Sequence, residues 1–238
     1  MSIYCSKIFT VLLIGIALLT AVSCSRVGTS IETVAAETKD NPANTPPIVS
    51  TTPAKTAKGE QTAFFAGGCF WGVEAVFEHI KGVRVVTSGY SGGTKQTADY
   101  ETVSGGATGH AESVKITFDP SQVSYEQLLK VFFSVAHDPT QLNRQTPDTG
   151  TQYRSAIFYA GDEQKRLAES SIAEMTKAKT FAAPIVTQIA PLKAFYKAED
   201  YHQNYLAQHP NQPYIVAYDQ PKVENLRKQF PDLFVSKN

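Results

Sequence analysis

Among the 238 residues, chemistry concentrates at Gly67-Gly68-Cys69-Phe70-Trp71-Gly72-Val73-Glu74, which holds the one tryptophan and the one cysteine outside the N-terminal segment. A thiol reacts as its thiolate, so what surrounds Cys69 decides whether it is a nucleophile or a packing residue. The two glycines before it and the apolar-periodic run after it place Cys69 where a strand turns sharply into a helix. Unpaired backbone N–H groups and the positive end of a helix dipole favour an anion at that position. The thiol is therefore expected to titrate below its ordinary value of about 8.5. The competing reading is an inert core cysteine, a common fate of this residue type. The Gly-Gly and Phe-Trp flanks favour the nucleophile.

A second candidate is Glu112. In Ala111-Glu112-Ser113-Val114-Lys115-Ile116-Thr117-Phe118 the alternation sets Glu112 on the face of Val114, Ile116 and Phe118, with Ser113, Lys115 and Thr117 on a solvent face. A carboxyl group on the apolar side is expected to hold its proton to higher pH. The bland alternative is a glutamate reaching water past the strand end; beside a reactive cysteine, an acid becomes the useful reading. Other chemistries find little support. His79, His110, His137, His202 and His209 form no HxxxH pair, and the three cysteines have no zinc-site spacing, so no metal is expected. The glycine clusters at 89–93 and 105–109 lack the GxGxxG and GxxxxGK[ST] patterns, so no nucleotide cofactor is expected. Lys plus Arg and Asp plus Glu both number 22, which removes the net-charge argument for nucleic acid or an anionic membrane surface.

The elements that must position these groups follow in order. Residues 61–66 read as a short buried strand. A helix follows, with Phe70, Val73, Val76, Phe77 and Ile80 on one face, Lys81 as a basic last turn and Gly82 as the stop. Residues 83–88 are extended, and three glycines in 89–93 mark a tight passage. After the 111–118 strand, Ser124 and Gln127 form a capping box for a buried helix carrying Leu128, Leu129, Phe132 and Phe133. That helix ends at His137-Asp138-Pro139. A polar loop spans 140–152, a strand 153–159, a helix 163–177 capped by Asp162, and a strand 184–189. A short helix at 198–206 and an amphipathic helix at 222–230 complete the chain. The pattern is α+β, a layer of helices on a mixed, partly antiparallel sheet.

The N-terminus differs in kind. Lys7 followed by an apolar run at 8–21 and small residues marks 1–24 as an export signal, too short for a comfortable spanning helix. Its end, Leu19-Thr-Ala-Val-Ser-Cys24, resembles the lipobox of bacterial lipoproteins, with Ala21 where such boxes usually carry Leu. Lipidation of Cys24 is favoured over ordinary signal cleavage nearby. Residues 25–59, rich in Thr, Ala and Pro and without aromatics, read as a disordered tether, leaving 60–238 as the globular catalytic domain. The expected location is beyond the cytoplasmic membrane, periplasmic or held by a lipid anchor.

Gly67-Gly68-Cys69-Phe70-Trp71-Gly72, Gly109-His110-Ala111-Glu112, His137-Asp138-Pro139-Thr140, the run from Asp148 to Ser155 and Glu199-Asp200-Tyr201-His202-Gln203 together resemble the A-type peptide methionine sulfoxide reductases. The resemblance covers about residues 61–230. It implies a ferredoxin-like two-layer α/β sandwich that acts as a monomer, without a cofactor, on the S epimer of methionine sulfoxide in peptides and proteins. It implies Cys69 as nucleophile, Glu112 as acid, Tyr100 and Tyr153 as hydroxyl donors and Asp148 as an organiser of the site. Phe70 and Trp71 would form the wall for the substrate methyl group. Glu74 is read as a first-turn residue favourable to the helix dipole, and His110 and His202 as structural. Many relatives regenerate through later cysteines; none follows Cys69 here, and Ser104 stands where some relatives carry one. A sulfenic acid on Cys69 would then be recycled by an external thiol, of thioredoxin, glutaredoxin or small-molecule type, unless a free Cys24 reaches back. Two rivals remain open: a Cys-His hydrolase with His110 as base, and a peptide-binding lipoprotein in which Cys69 is dispensable.

Overall fold

The computed structural model describes residues 59–237. The expected signal segment with Cys24, and the tether up to residue 58, lie outside the described residues. In chain order the elements are β1 (Gln61–Gly67), α1 (Phe70–Glu78), β2 (Val83–Ser91), α2 (Tyr100–Ser104), β3 (Ala111–Phe118) and α3 (Tyr125–Val131). The two-residue strands β4 (Arg144–Gln145) and β5 (Asp148–Thr149) follow, then β6 (Ser155–Tyr159) and α4 (Asp162–Lys177). Last come β7 (Gln188–Pro191), β8 (Phe195–Lys197), α5 (Tyr205–Gln208) and α6 (Gln220–Gln229). The main sheet has six strands in the order β7-β6-β1-β3-β2-β8, antiparallel throughout except for the parallel β6–β7 edge. Within it, β1-α1-β2-β3-α3-β6 with spatial order β6-β1-β3-β2 is the ferredoxin-like arrangement of an α+β fold.

The strand periodicity explains how the sheet is covered. Ala63 and Phe65 of β1, Val114, Ile116 and Phe118 of β3, and Ile157 of β6 face one way and pack with Val76 and Phe77 of α1, Leu128 and Leu129 of α3 and Leu226 of α6. The alternate residues Phe64, Ala66, Ala156 and Phe158 make a smaller cluster on the other face, covered by Leu192 and Phe195. Ser113 is consequently buried rather than solvent-facing as the alternation alone predicts, and its hydroxyl donates to Ala111 O.

Several boundaries differ from the sequence reading. α1 ends at Glu78 with His79 as its cap, so Lys81 supplies no basic last turn. β2 runs on through Gly89, Tyr90 and Ser91 because β8 supplies a backbone partner for each of them. α4 is capped by Gly161, with Asp162 already inside its first turn. The strand expected at 184–189 pairs only from Gln188, where β6 is within reach. Ser124 and Gln127 do form the capping box, and α3 widens into a π turn at Phe132–Ala136. The expected helix at 198–206 is broken by Asn204, whose φ of 54° lies in the left-handed region.

Candidate active site

The site starts where β1 delivers the chain to α1. Gly68 turns with φ of 91°, and a Cβ there would come within 2.5 Å of the Gln145 side chain, so glycine is required by conformation and by space. Cys69 is the N-cap of α1 and is 8% exposed. The Cys69 side chain makes no capping hydrogen bond, and the Phe70 N–H of the first turn donates to Glu112 Oε2 at 3.0 Å. This hydrogen bond brings β3 and α1 together beside the Cys69 thiol.

The expected lowering of the thiol pKa does not hold. Burial pushes the Cys69 thiol well above its ordinary range, Glu112 and Asp219 add to that, and the Trp71 N–H and Lys222 oppose without overcoming it. A dipole argument sees only α1; desolvation and carboxylates brought from β3 and from the C-terminal segment decide the sign. Glu112 behaves as expected: burial raises it from 4.5 to about 8, with Asp148 and Asp219 adding and the Phe70 N–H opposing. At neutral pH both groups carry their protons.

These groups line a cavity of about 190 Å³ with Phe70, Trp71, Tyr100, Asp148, Tyr153 and Tyr214. All seven catalytic and substrate-binding residues expected from the sequence therefore meet in one place. Tyr153 arrives on a 3-10 turn, Thr151–Tyr153, immediately before β6, and Tyr100 opens α2 with its N–H held by Glu199 Oε1 at 2.9 Å. The other oxygen of Glu199 accepts from Tyr90 at 2.9 Å, tying α2 to β2. Trp71 is fixed by donation from Nε1 to His202 Nδ1 at 3.0 Å and by stacking on Tyr205 at 3.7 Å. Burial, with Glu112 next in importance, keeps the Tyr100 and Tyr153 phenols protonated beyond the usual range.

Tyr214 was not singled out from sequence. Its hydroxyl donates to Asp148 Oδ2 and its ring meets Trp71 edge-on, but nothing in the local pattern Gln212-Pro213-Tyr214 marks it. Glu74 is a correction: it is the fifth residue of α1, not a first-turn group, and it is buried. Its Oε2 accepts the Asn204 N–H at 2.8 Å, and burial raises it from 4.5 to about 8. The structural roles of the histidines hold. His202 orients Trp71, while the ring nitrogens of His110 meet Thr94 O at 2.9 Å and the Gly93 N–H at 3.3 Å. With both nitrogens so engaged, His110 is not set up as the base of a hydrolase. Among the described residues no group of three or more His, Cys, Asp or Glu side chains is arranged to hold a metal ion.

The site sets one buried thiol among an un-ionised carboxyl group and neutral phenols on an α+β scaffold. The pattern that describes peptide methionine sulfoxide reductases matches residues 61–233. The chain is 60% identical over 183 residues to peptide methionine sulfoxide reductase MsrA 2 of Mesorhizobium japonicum, covering 77% of this chain and 94% of that one. It is 52% identical over 187 residues to the MsrA 2 of a Synechocystis strain, covering 78% and 87%. Among solved structures it resembles reduced Mxr1 from Saccharomyces cerevisiae, with a TM-score of 0.60 and 33% identity over 66% of this chain and 91% of that one. Methionine sulfoxide reductase A of Corynebacterium diphtheriae aligns with a TM-score of 0.58 and 36% identity, covering 66% and 78%. The chain belongs to the A-type peptide methionine sulfoxide reductase family and is an oxidoreductase.

Proposed function

We propose that this chain reduces the S epimer of methionine sulfoxide, free or within polypeptides, through Cys69. The observation that carries the reading is the cavity in which the Cys69 thiol, the neutral Glu112 carboxyl and three phenols face one another beside Phe70 and Trp71. A sulfoxide oxygen is a strong acceptor that can leave sulfur only with protons. Donors aimed at it stabilise the charge it gains, and being neutral they do not quench the attacking sulfur by ion pairing. Cys69 Sγ bonds to the sulfoxide sulfur while the thiol proton and the Glu112 proton reach the oxygen. Water departs, leaving a sulfonium joined to Cys69. Attack of water on Sγ then releases the methionine thioether, forms the Cys69 sulfenic acid and returns a proton to Glu112. Phe70 and Trp71 take the methyl group; the opposite epimer would direct its oxygen into that apolar wall.

Cys69 is the one cysteine among the described residues, so recycling falls to an external thiol, of which a thioredoxin is the proposed type. One thiol condenses with the sulfenic acid, releasing water and leaving a mixed disulfide, and a second thiol frees Cys69. A Cys24–Cys69 disulfide accumulating after substrate oxidation would overturn this one-cysteine cycle. We further propose export, with acylated Cys24 as a membrane anchor and residues 25–59 as the tether of a monomeric domain; the mass of the mature N-terminal peptide tests the lipid. The activity itself is tested by offering the full chain each sulfoxide epimer separately with dithiothreitol. Turnover of the S epimer that disappears in Cys69→Ser supports the reading; equal turnover of both epimers, or activity in the variant, would end it.

A further inference from the structure

Glu74 is a buried acid that the steps above do not use, and it sits on the helix that carries the indole wall of the cavity. A buried carboxyl group is costly to keep for packing alone. Three residues on from Trp71, it shares a side of α1 with that ring. Its Oε2 accepts the Asn204 N–H at 2.8 Å. Asn204 takes a left-handed φ of 54° and makes no side-chain cap to the helix it opens. The next residue, Tyr205, lies flat on the Trp71 ring, with centroids 3.7 Å apart and planes 7° from parallel. Helix α1 therefore holds the indole twice, once through the Trp71 backbone and once through Glu74, Asn204 and Tyr205. The other side-chain ties of this segment lie earlier: Glu199 to Tyr90 and to the Tyr100 N–H, and Gln203 to the backbone N–H and O of Ser88. Glu74 supplies the tie at Asn204 itself.

We propose that Glu74 is a positioning residue for the sulfoxide site: through the Asn204 N–H it sets Tyr205 against Trp71 and so fixes the plane of the wall that takes the substrate methyl group. This inference rests on the sulfoxide reading of the site and deepens it. Trp71 lines the cavity and Tyr205 does not, so Tyr205 acts through the indole. The ring has two further restraints, donation from Nε1 to His202 Nδ1 at 3.0 Å and the edge of Tyr214 at 6.0 Å. A hydrogen bond fixes one atom of a ring, whereas a parallel ring in contact fixes its plane. The substrate methyl group keeps its bond to sulfur throughout, so its contact with the wall is made alike in the bound sulfoxide and in the transition state. A displaced wall is therefore felt in KM more than in kcat, the reverse of what loss of a proton donor does.

The test uses the one tryptophan of the chain as its own reporter. Acrylamide quenching of Trp71 emission and steady-state kinetics with the S epimer are measured at pH 7 on the full chain. Glu74→Met removes the acceptor, Glu74→Gln keeps it, and Tyr205→Leu removes the stacked ring. Glu74→Met and Tyr205→Leu are both quenched more readily than the parent, and both raise KM by about 3- to 10-fold, the worth of one aromatic contact, with kcat within about twofold. Glu74→Gln matches the parent in both readouts. The Glu74→Met, Tyr205→Leu double variant goes no further than Tyr205→Leu, because Glu74 acts through that ring. Quenching and KM unchanged in Glu74→Met, a fall in kcat at constant KM, additive effects in the double variant, or a Glu74→Gln displaced as far as Glu74→Met would each overturn the proposal. If Glu74→Met does not fold, Glu74→Asp, shorter by one methylene, is judged by the same criteria. Quenching needs no substrate, so the placement of Trp71 stands or falls separately from sulfoxide turnover.

Discussion

Replacing Glu112 with glutamine removes one proton from the site while keeping a donor of nearly the same shape. Glu112 sits in β3 with its Oε2 held by the Phe70 N–H, and glutamine can accept that bond through its carbonyl oxygen while its amide still faces the cavity. What is lost is proton transfer, worth about 10²- to 10⁴-fold in general acid catalysis. The same carboxyl leaves a mark on stability. Its folded-state pKa of about 8 lies above the ordinary 4.5, so between those values the native protein binds a proton that the unfolded chain has released. The contribution is complete below about pH 4.5 and is lost as pH rises through 8; at one pKa unit per about 1.4 kcal/mol, the full swing is on the order of 5 kcal/mol. Denaturant melts of parent and Glu112→Gln should therefore coincide near pH 4 and diverge by pH 9, with glutamine the more stable. The rate with the S epimer should fall above pH 8 in the parent, and that limb should vanish in the variant. A glutamine enzyme within about fivefold of the parent at pH 7, well inside the general-acid range, would refute the assignment of the acid. So would a descending limb that persists unchanged in the variant.

Three further outcomes follow from the same geometry. Tyr100→Phe and Tyr153→Phe each remove one neutral donor from the cavity; each should lower kcat by about 10²- to 10³-fold with a smaller change in KM, and the double variant should fall further. Gly72→Ala should lower stability by about 1–3 kcal/mol in a thermal melt, although alanine is the better helix former, because the new methyl group meets the Asp219 carboxyl. A more stable Gly72→Ala would show that the carboxyl can move aside. Glu74→Gln keeps an acceptor for the Asn204 N–H but cannot ionise. Since Glu74 is raised from 4.5 to about 8, the variant should match the parent at pH 4 and gain up to about 5 kcal/mol by pH 9; equal stabilities at both would refute a buried acid there.

The parts of this site that can be read from sequence are those fixed by neighbouring residues. The Gly67-Gly68 turn, the helix after it and the inward side of Glu112 follow from local sterics and a two-residue alternation. The ferredoxin-like core needs only the order and polarity of its strands. Tyr100, Tyr153 and Asp148 were reached through resemblance, because nothing in their own segments distinguishes them from packing or loop residues. Tyr214, Asp219 and Lys222 were missed for a related reason. Their significance comes from contact with Asp148 and Gly72, far away in the chain, through the π turn Ile215–Asp219 and α6. The direction of the Cys69 pKa went wrong on the same ground: the helix N-terminus is local and visible, whereas the desolvation that outweighs it is built by the whole fold.

The central claim, that Cys69 Sγ attacks the sulfoxide sulfur and is oxidised as the sulfoxide is reduced, is tested most directly by a single turnover without reductant. One equivalent of an S-sulfoxide peptide is mixed with the full chain in the presence of dimedone, and both products are counted by mass spectrometry. The account predicts one methionine per chain and one dimedone adduct, on the Cys69 peptide. Methionine formed without modification of Cys69, or formed equally by Cys69→Ser, would contradict it.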